Sequence, residues 1–74
     1  MAPMIEMVTQ REMERIFEVT DGLGIHRENL VVPLGAQRPG RVRRLANGKL
    51  EIVVDGADPE GFMAGLAAEI QKLG

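Results

Sequence analysis

Apolar and polar residues recur along this chain with two different periods. In residues 9–21, Met13, Ile16, Phe17 and Thr20 fall at i, i+3, i+4 and i+7, one face of a helix, while Glu12, Glu14, Arg15 and Glu18 fall elsewhere and read as solvated. In residues 59–73, Phe62, Leu66, Ile70 and Leu73 recur at i, i+4, i+8 and i+11 with Met63 beside them. Ala64, Gly65, Ala67 and Ala68 keep the flanks of that second helix small. Between the helices, residues 30–34 are a β-branched apolar run, and residues 41–45 and 49–55 read as strands flanking a turn. The predicted order is α-β-β-β-α. A small antiparallel sheet with two helices packed on one face, a small α+β fold, buries all three apolar stripes most simply. The predicted core is Ile16, Phe17, Leu50, Ile52, Phe62, Leu66 and Ile70. The opposite sheet face then carries Arg41, Arg43, Glu51, Val53 and Asp55, which leaves Val53 exposed.

The punctuation between these stripes is specific. Thr9 and Glu12 have the spacing of a capping box, with Val8 and Met13 as its hydrophobic staple. Asp21-Gly22-Leu23-Gly24 stops the first helix, with Gly22 expected as the left-handed cap. Met4 and Ile5 read equally as a backward extension of that helix or as a short strand. Pro33 cannot donate to a ladder, so the strand at residues 30–34 is expected to be short or at an edge. Asn47-Gly48 marks a hairpin. A two-residue turn there would place Val42 opposite Val53, off the Leu50/Ile52/Val54 face. A three-residue turn, Ala46-Asn47-Gly48 with Gly48 left-handed, sets Val42 opposite Ile52 inside and Arg43 opposite Glu51 outside. The second agrees with one buried face and is preferred. Asp58-Pro59-Glu60 opens the last helix: Asp as N-cap, Pro at the first helical position, Glu near the positive end of the dipole.

Composition sharpens this picture in a few places. Residues 1–74 are read as a single domain, and a domain of 74 residues buries only about 60% of the surface its unfolded chain exposes. Only Phe17 and Phe62 are aromatic, so the core is aliphatic with Met as filler. There is no cysteine, which removes disulfides and thiolate metal ligands and fits a reducing compartment. The net charge of −2 does not suit blanket binding of nucleic acid. No apolar run approaches the about 20 residues a membrane span needs. Residues 1–10 show neither a basic leader nor a long apolar stretch, so no signal peptide is expected and the cytoplasm is the default location.

Three constellations could carry chemistry, and each has a simpler structural reading. His26, the one histidine, lies in a polar turn beside Arg27 and Glu28, and without further ligands it reads as solvated or capping rather than metal-binding. Asp55, Asp58 and Glu60 cluster after the last strand, but paired carboxylates do acid–base work only when burial drives their pKa values apart, and Asp58 already has a capping role. Arg38, Arg41, Arg43, Arg44 and Lys49 are the only charge asymmetry and the candidate contact for an acidic partner or an anion. No aromatic residue interleaves them, so base stacking lacks a platform, and the plain reading is a solvated sheet face with Arg43 paired to Glu51. Gly22-Leu23-Gly24 follows a helix and precedes no lysine, so neither the dinucleotide nor the P-loop context is met. No catalytic, cofactor-binding or metal-ligating set is expected, and no cofactor.

Two families share parts of this pattern. The α-β-β-β-α order is similar to that of double-stranded RNA-binding domains, which place a lysine-rich motif at the start of the last helix. This chain has Asp58-Pro59-Glu60-Gly61 there, and its acidity excludes that reading. Residues 34–74, with Pro33 just before them, carry Leu34-Gly35, then Gly40-Arg41-Val42, then the stretch from Asn47 through Asp55, then Phe62 and the run from Leu66 to Leu73. This resembles the segment around the active helix of ImmA/IrrE-type zincin metallopeptidases, where a strand hairpin precedes a helix bearing His-Glu-x-x-His. The five corresponding positions here are Ala68-Glu69-Ile70-Gln71-Lys72. Both metal-ligand histidines are missing and only the glutamate matches. The resemblance thus implies a scaffold that does not bind zinc through this motif, and it adds no activity.

The expected function is that of a small non-catalytic domain acting by protein–protein interaction or self-association. Exposed Val53 and the Ala/Gly flanks of the last helix motivate it. The expected partner is a second copy, as a homodimer, or another protein, with neither nucleic acid nor membrane involved. Two alternatives stand beside it: a subunit of a small enzyme or ligand-binding assembly whose site is completed across an oligomer interface, and a nucleic-acid-associated regulator using the Arg41/Arg43/Arg44 face.

Overall fold

The structure, a computed structural model, describes residues 5–73. Helix α1 spans Gln10–Gly22 and opens on Thr9. Glu12 closes the cap by accepting from the Thr9 amide at 3.1 Å and from the Thr9 hydroxyl at 2.6 Å. The helix ends differently from expectation. Gly22 stays helical, and the left-handed residue is Gly24, with φ 77°. The Gly24 amide donates to the Asp21 carbonyl at 3.1 Å and the Ile25 amide to the Thr20 carbonyl at 2.9 Å, the bond pair of a Schellman motif. Capping two residues later lets Ile25 fold back onto the core, against which it packs.

A single 3₁₀ turn, Arg27–Asn29, leads into strand β1, Leu30–Val31. Strands β2, Arg41–Arg44, and β3, Leu50–Val53, follow, and helix α2 spans Pro59–Lys72. The α-β-β-β-α order and the small α+β class are those read from the sequence. The sheet, however, is mixed rather than wholly antiparallel. Its strand order is β1-β3-β2, with β1 parallel to β3 and β2 antiparallel to β3. The tight hairpin forces β2 and β3 to oppose each other. β1 is free of that constraint, because residues 32–40 connect it to β2 and are long enough to cross β3.

That crossing explains a second difference. Gln37 continues the parallel pairing on the β1 side, donating to the Val54 carbonyl at 3.0 Å and accepting from the Gly56 amide at 2.9 Å. Arg41 is already on the β2 side, opposite Val53. The chain passes over β3 in between, with Gly40 so close to the Asp55 amide and the Val53 carbonyl that a Cβ has no room. Val53 lies on the outer face, yet it is fully buried rather than exposed, and it offers no surface for association.

The hairpin register is the one the buried face demands. Val42 stands opposite Ile52 and Arg43 opposite Glu51, with Gly48 at φ 85°. The core joins Ile16, Leu50, Ile52, Val54, Met63, Leu66 and Ile70. The two phenylalanines are only half-buried. Phe62 packs against the core from its margin, whereas Phe17 lies under the Arg27 guanidinium, 4.3 Å from the ring centroid. Thr20 takes the fully buried place on that helix, its hydroxyl donating to the Phe17 carbonyl at 3.3 Å. Residues 5–8 run beside residues 34–36. The Ile5 amide donates to the Gly56 carbonyl at 2.9 Å, the Ala36 amide to the Glu6 carbonyl at 2.8 Å and the Val8 amide to the Leu34 carbonyl at 2.6 Å. Ile5 is therefore extended rather than helical, while Met4 lies outside the described residues. Among the described residues, no helix is long and apolar enough to cross a membrane.

Candidate functional site

The basic residues singled out in the sequence do not form one surface. β2 alternates, so Arg41 and Arg43 project from the outer face while Val42 and Arg44 project from the other. Glu51, opposite Arg43, accepts from Arg43 Nε at 2.7 Å and from Arg41 Nε at 3.3 Å. Those bonds, the one from Arg43 foremost, hold the Glu51 carboxyl below its ordinary value although partial burial pushes the other way. Arg44 points to the far end of the hairpin, where its Nη1 donates to the Gly48 carbonyl at 3.2 Å. There it lines a hollow of about 320 Å³ with His26 and Asn29. Lys49 is exposed at the turn, its amide donating to Asn47 Oδ1 at 2.9 Å, and Arg38 is exposed in the crossing segment.

The carboxylates after β3 have structural roles. Asp55 Oδ1 accepts from the amides of Ala57 at 2.9 Å and Asp58 at 3.2 Å. Asp58 Oδ1 accepts from the Gly61 amide at 3.0 Å, the N-cap bond of α2. Glu60 reaches Arg15 Nη1 at 2.6 Å and ties the start of α2 to α1. The three do not converge on a common point as an acid–base pair would. Among the described residues, no three His, Cys, Asp or Glu side chains are grouped as metal ligands.

The feature that sequence reasoning missed lies between β2 and α2. A hollow of about 350 Å³ opens there, with Val42 and Phe62 as its apolar lining, Gly61 and Gly65 on the helix side, and Arg41 and Glu69 at its rim. A Cβ built on Gly65 meets nothing within 4 Å, so the space is real at side-chain scale. Because β2 ends the strand order, the hollow runs beside an edge with no strand neighbour among the described residues. The signal was present in Gly65, one helical turn after Gly61 and close to Phe62, but it has no meaning until β2 is known to be the edge.

No known protein family, curated protein or solved structure matches the chain. The likeness of residues 34–74 to the zincin segment therefore stands on the sequence pattern alone.

Proposed function

We propose that the chain is a small non-catalytic domain that acts by binding another protein or a second copy of itself. What supports this reading is the free edge of β2 beside a partly apolar hollow, since an unpaired edge is a template for another chain. Asp55, Asp58, Glu60 and Glu51 are each engaged in caps, turns or ion pairs, which is in keeping with structural roles for these carboxylates. Cross-linking in the source cells followed by mass spectrometry, together with sedimentation of the purified chain, tests the proposal. A cross-linked protein or a concentration-dependent mass is expected. A constant monomer mass with no cross-linked protein would sink it. The expected setting is the cytoplasm, which a fluorescent fusion checks.

A second reading draws on the hollow shared by His26, Asn29 and Arg44. Three polar side chains meeting at one end suit a ligand site completed across an oligomer interface. A phosphate-dependent rise in melting temperature that Arg44→Ala removes would favour it. The nucleic-acid reading is weaker, because Arg44 faces away from Arg41 and Arg43, and Glu51 offsets those two.

A further inference from the structure

We propose that the free edge of β2 and the hollow between β2 and α2 take an extended segment of a partner protein, apolar at alternate residues and acidic between them, as a fourth strand. This rests on the protein-binding reading above and gives it a place and a chemistry. The backbone supplies the first argument. The Leu45 amide donates to the Lys49 carbonyl at 2.8 Å, so Leu45, and by alternation Arg43 and Arg41, direct their backbone groups at β3. Val42 and Arg44 then direct theirs outward, and strand addition uses such groups for affinity.

The hollow supplies the second. Side chains on one face of an added strand would rest on Val42 and Phe62, and the missing side chain of Gly65, which faces open space, leaves them room. The molecule's own β3 supplies the third. On the other edge of β2 it presents Leu50 and Ile52 inward and Glu51 outward, between Arg41 and Arg43. Arg41 and Arg43 share that one glutamate, and among the described residues Arg44, on the other face of β2, makes no ion pair, so the edge keeps a positive excess. Glu69 at the rim is balanced by Lys72 at 3.4 Å. A second copy of β2 does not fit this edge, because it would set arginines against arginines, and like charges opposite one another destabilise a strand pair.

The test titrates the isotope-labelled full chain with a capped peptide, Ser-Ile-Glu-Val-Glu-Ile-Ser, and with its Glu→Lys and Glu→Gln counterparts. Saturable amide shifts at residues 41–44 and 61–65 are expected, with slowed hydrogen exchange at Val42 and Arg44 and the order acidic, neutral, basic in affinity. Arg44→Pro removes one outward N–H and keeps the bonds to β3. It should weaken the acidic peptide roughly five- to tenfold, the worth of one hydrogen bond. Gly65→Leu fills the hollow and favours the helix, so it should block the peptide even if Arg44→Pro fails to fold. No shift at millimolar peptide, equal binding of all three peptides, or shifts confined elsewhere would overturn the proposal. So would slowed exchange at Val42 and Arg44 that rises with protein concentration alone, which assigns the edge to a second copy. Stronger shifts of the same amides by a single-stranded oligonucleotide would overturn it too. Any of these outcomes alongside a persistent cross-linked protein would leave the broader reading intact.

Discussion

Glu51 is the residue on which two arginines converge, and its charge carries a pH dependence of definite sign. The bond from Arg43, then that from Arg41, lowers its pKa in the folded chain from an ordinary value near 4.5. A carboxyl whose folded pKa is depressed stabilises the fold above its unfolded pKa, and the contribution is lost as pH falls through the folded value. Glu12 follows the same logic, its pKa lowered chiefly by the Thr9 hydroxyl. Urea midpoints measured from neutral pH down to about pH 3, well below the unfolded glutamate pKa, should fall less for Glu51→Gln than for the parent chain. Parallel curves would show that the arginines do not engage Glu51 in solution. Both carboxyl partnerships were legible in the sequence, because a capping box and a hairpin register fix who meets whom. Phe17 was not. Ile16 and Phe17 are adjacent, and a helical period alone does not decide which faces the core. Ile16 and Thr20, one turn apart, take the centre, and Phe17 is left to Arg27, a contact made only after the chain has turned past Gly24.

At the scale of elements, the turn and the crossing set the sheet by different means. The register of β2 on β3 follows from which side chains must be buried, so the sequence specified it. The direction of β1 does not follow from any such rule. A two-residue strand has too little pattern, and its orientation comes from the path of residues 32–40 over β3. The same path hid Val53, which alternation alone marks as exposed. Gly40 is where the path is tightest, because an added methyl would meet the Asp55 amide and the Val53 carbonyl, both backbone atoms that cannot swing aside. Gly40→Ala should therefore destabilise by about 1–3 kcal/mol, the usual cost of overpacking. Gly22→Ala, with open space around it and helical geometry, should be neutral or stabilising. Denaturant midpoints of the two variants check this, and a Gly40→Ala chain as stable as Gly22→Ala would refute the crossing.

The whole molecule rests on one small core, and its surface constrains how copies could meet. Leu66 is completely buried between the helices and the sheet, so Leu66→Ala should cost about 2–5 kcal/mol, much of what a domain this size possesses. A melting temperature within a degree or two of the parent would contradict that packing. Association is a common remedy for so thin a core. The arginines of β2 oppose self-pairing there, and β1 is only two residues long with residues 5–8 running alongside residues 34–36 beyond it. A surface free of both obstacles is α2, where Ala64 and Ala68 are exposed and Ala67 half-exposed. Small side chains let two such helices approach about a two-fold axis, the commonest closed assembly. We propose a homodimer through α2. Sedimentation equilibrium at tens to hundreds of micromolar should give a mass approaching two chains. Ala67→Arg or Ala68→Glu should return it to one chain while the helical circular dichroism stays intact, because neither position belongs to the core. A mass of one chain at every concentration would rule the dimer out. A dimer untouched by either substitution would move the interface off this face of α2.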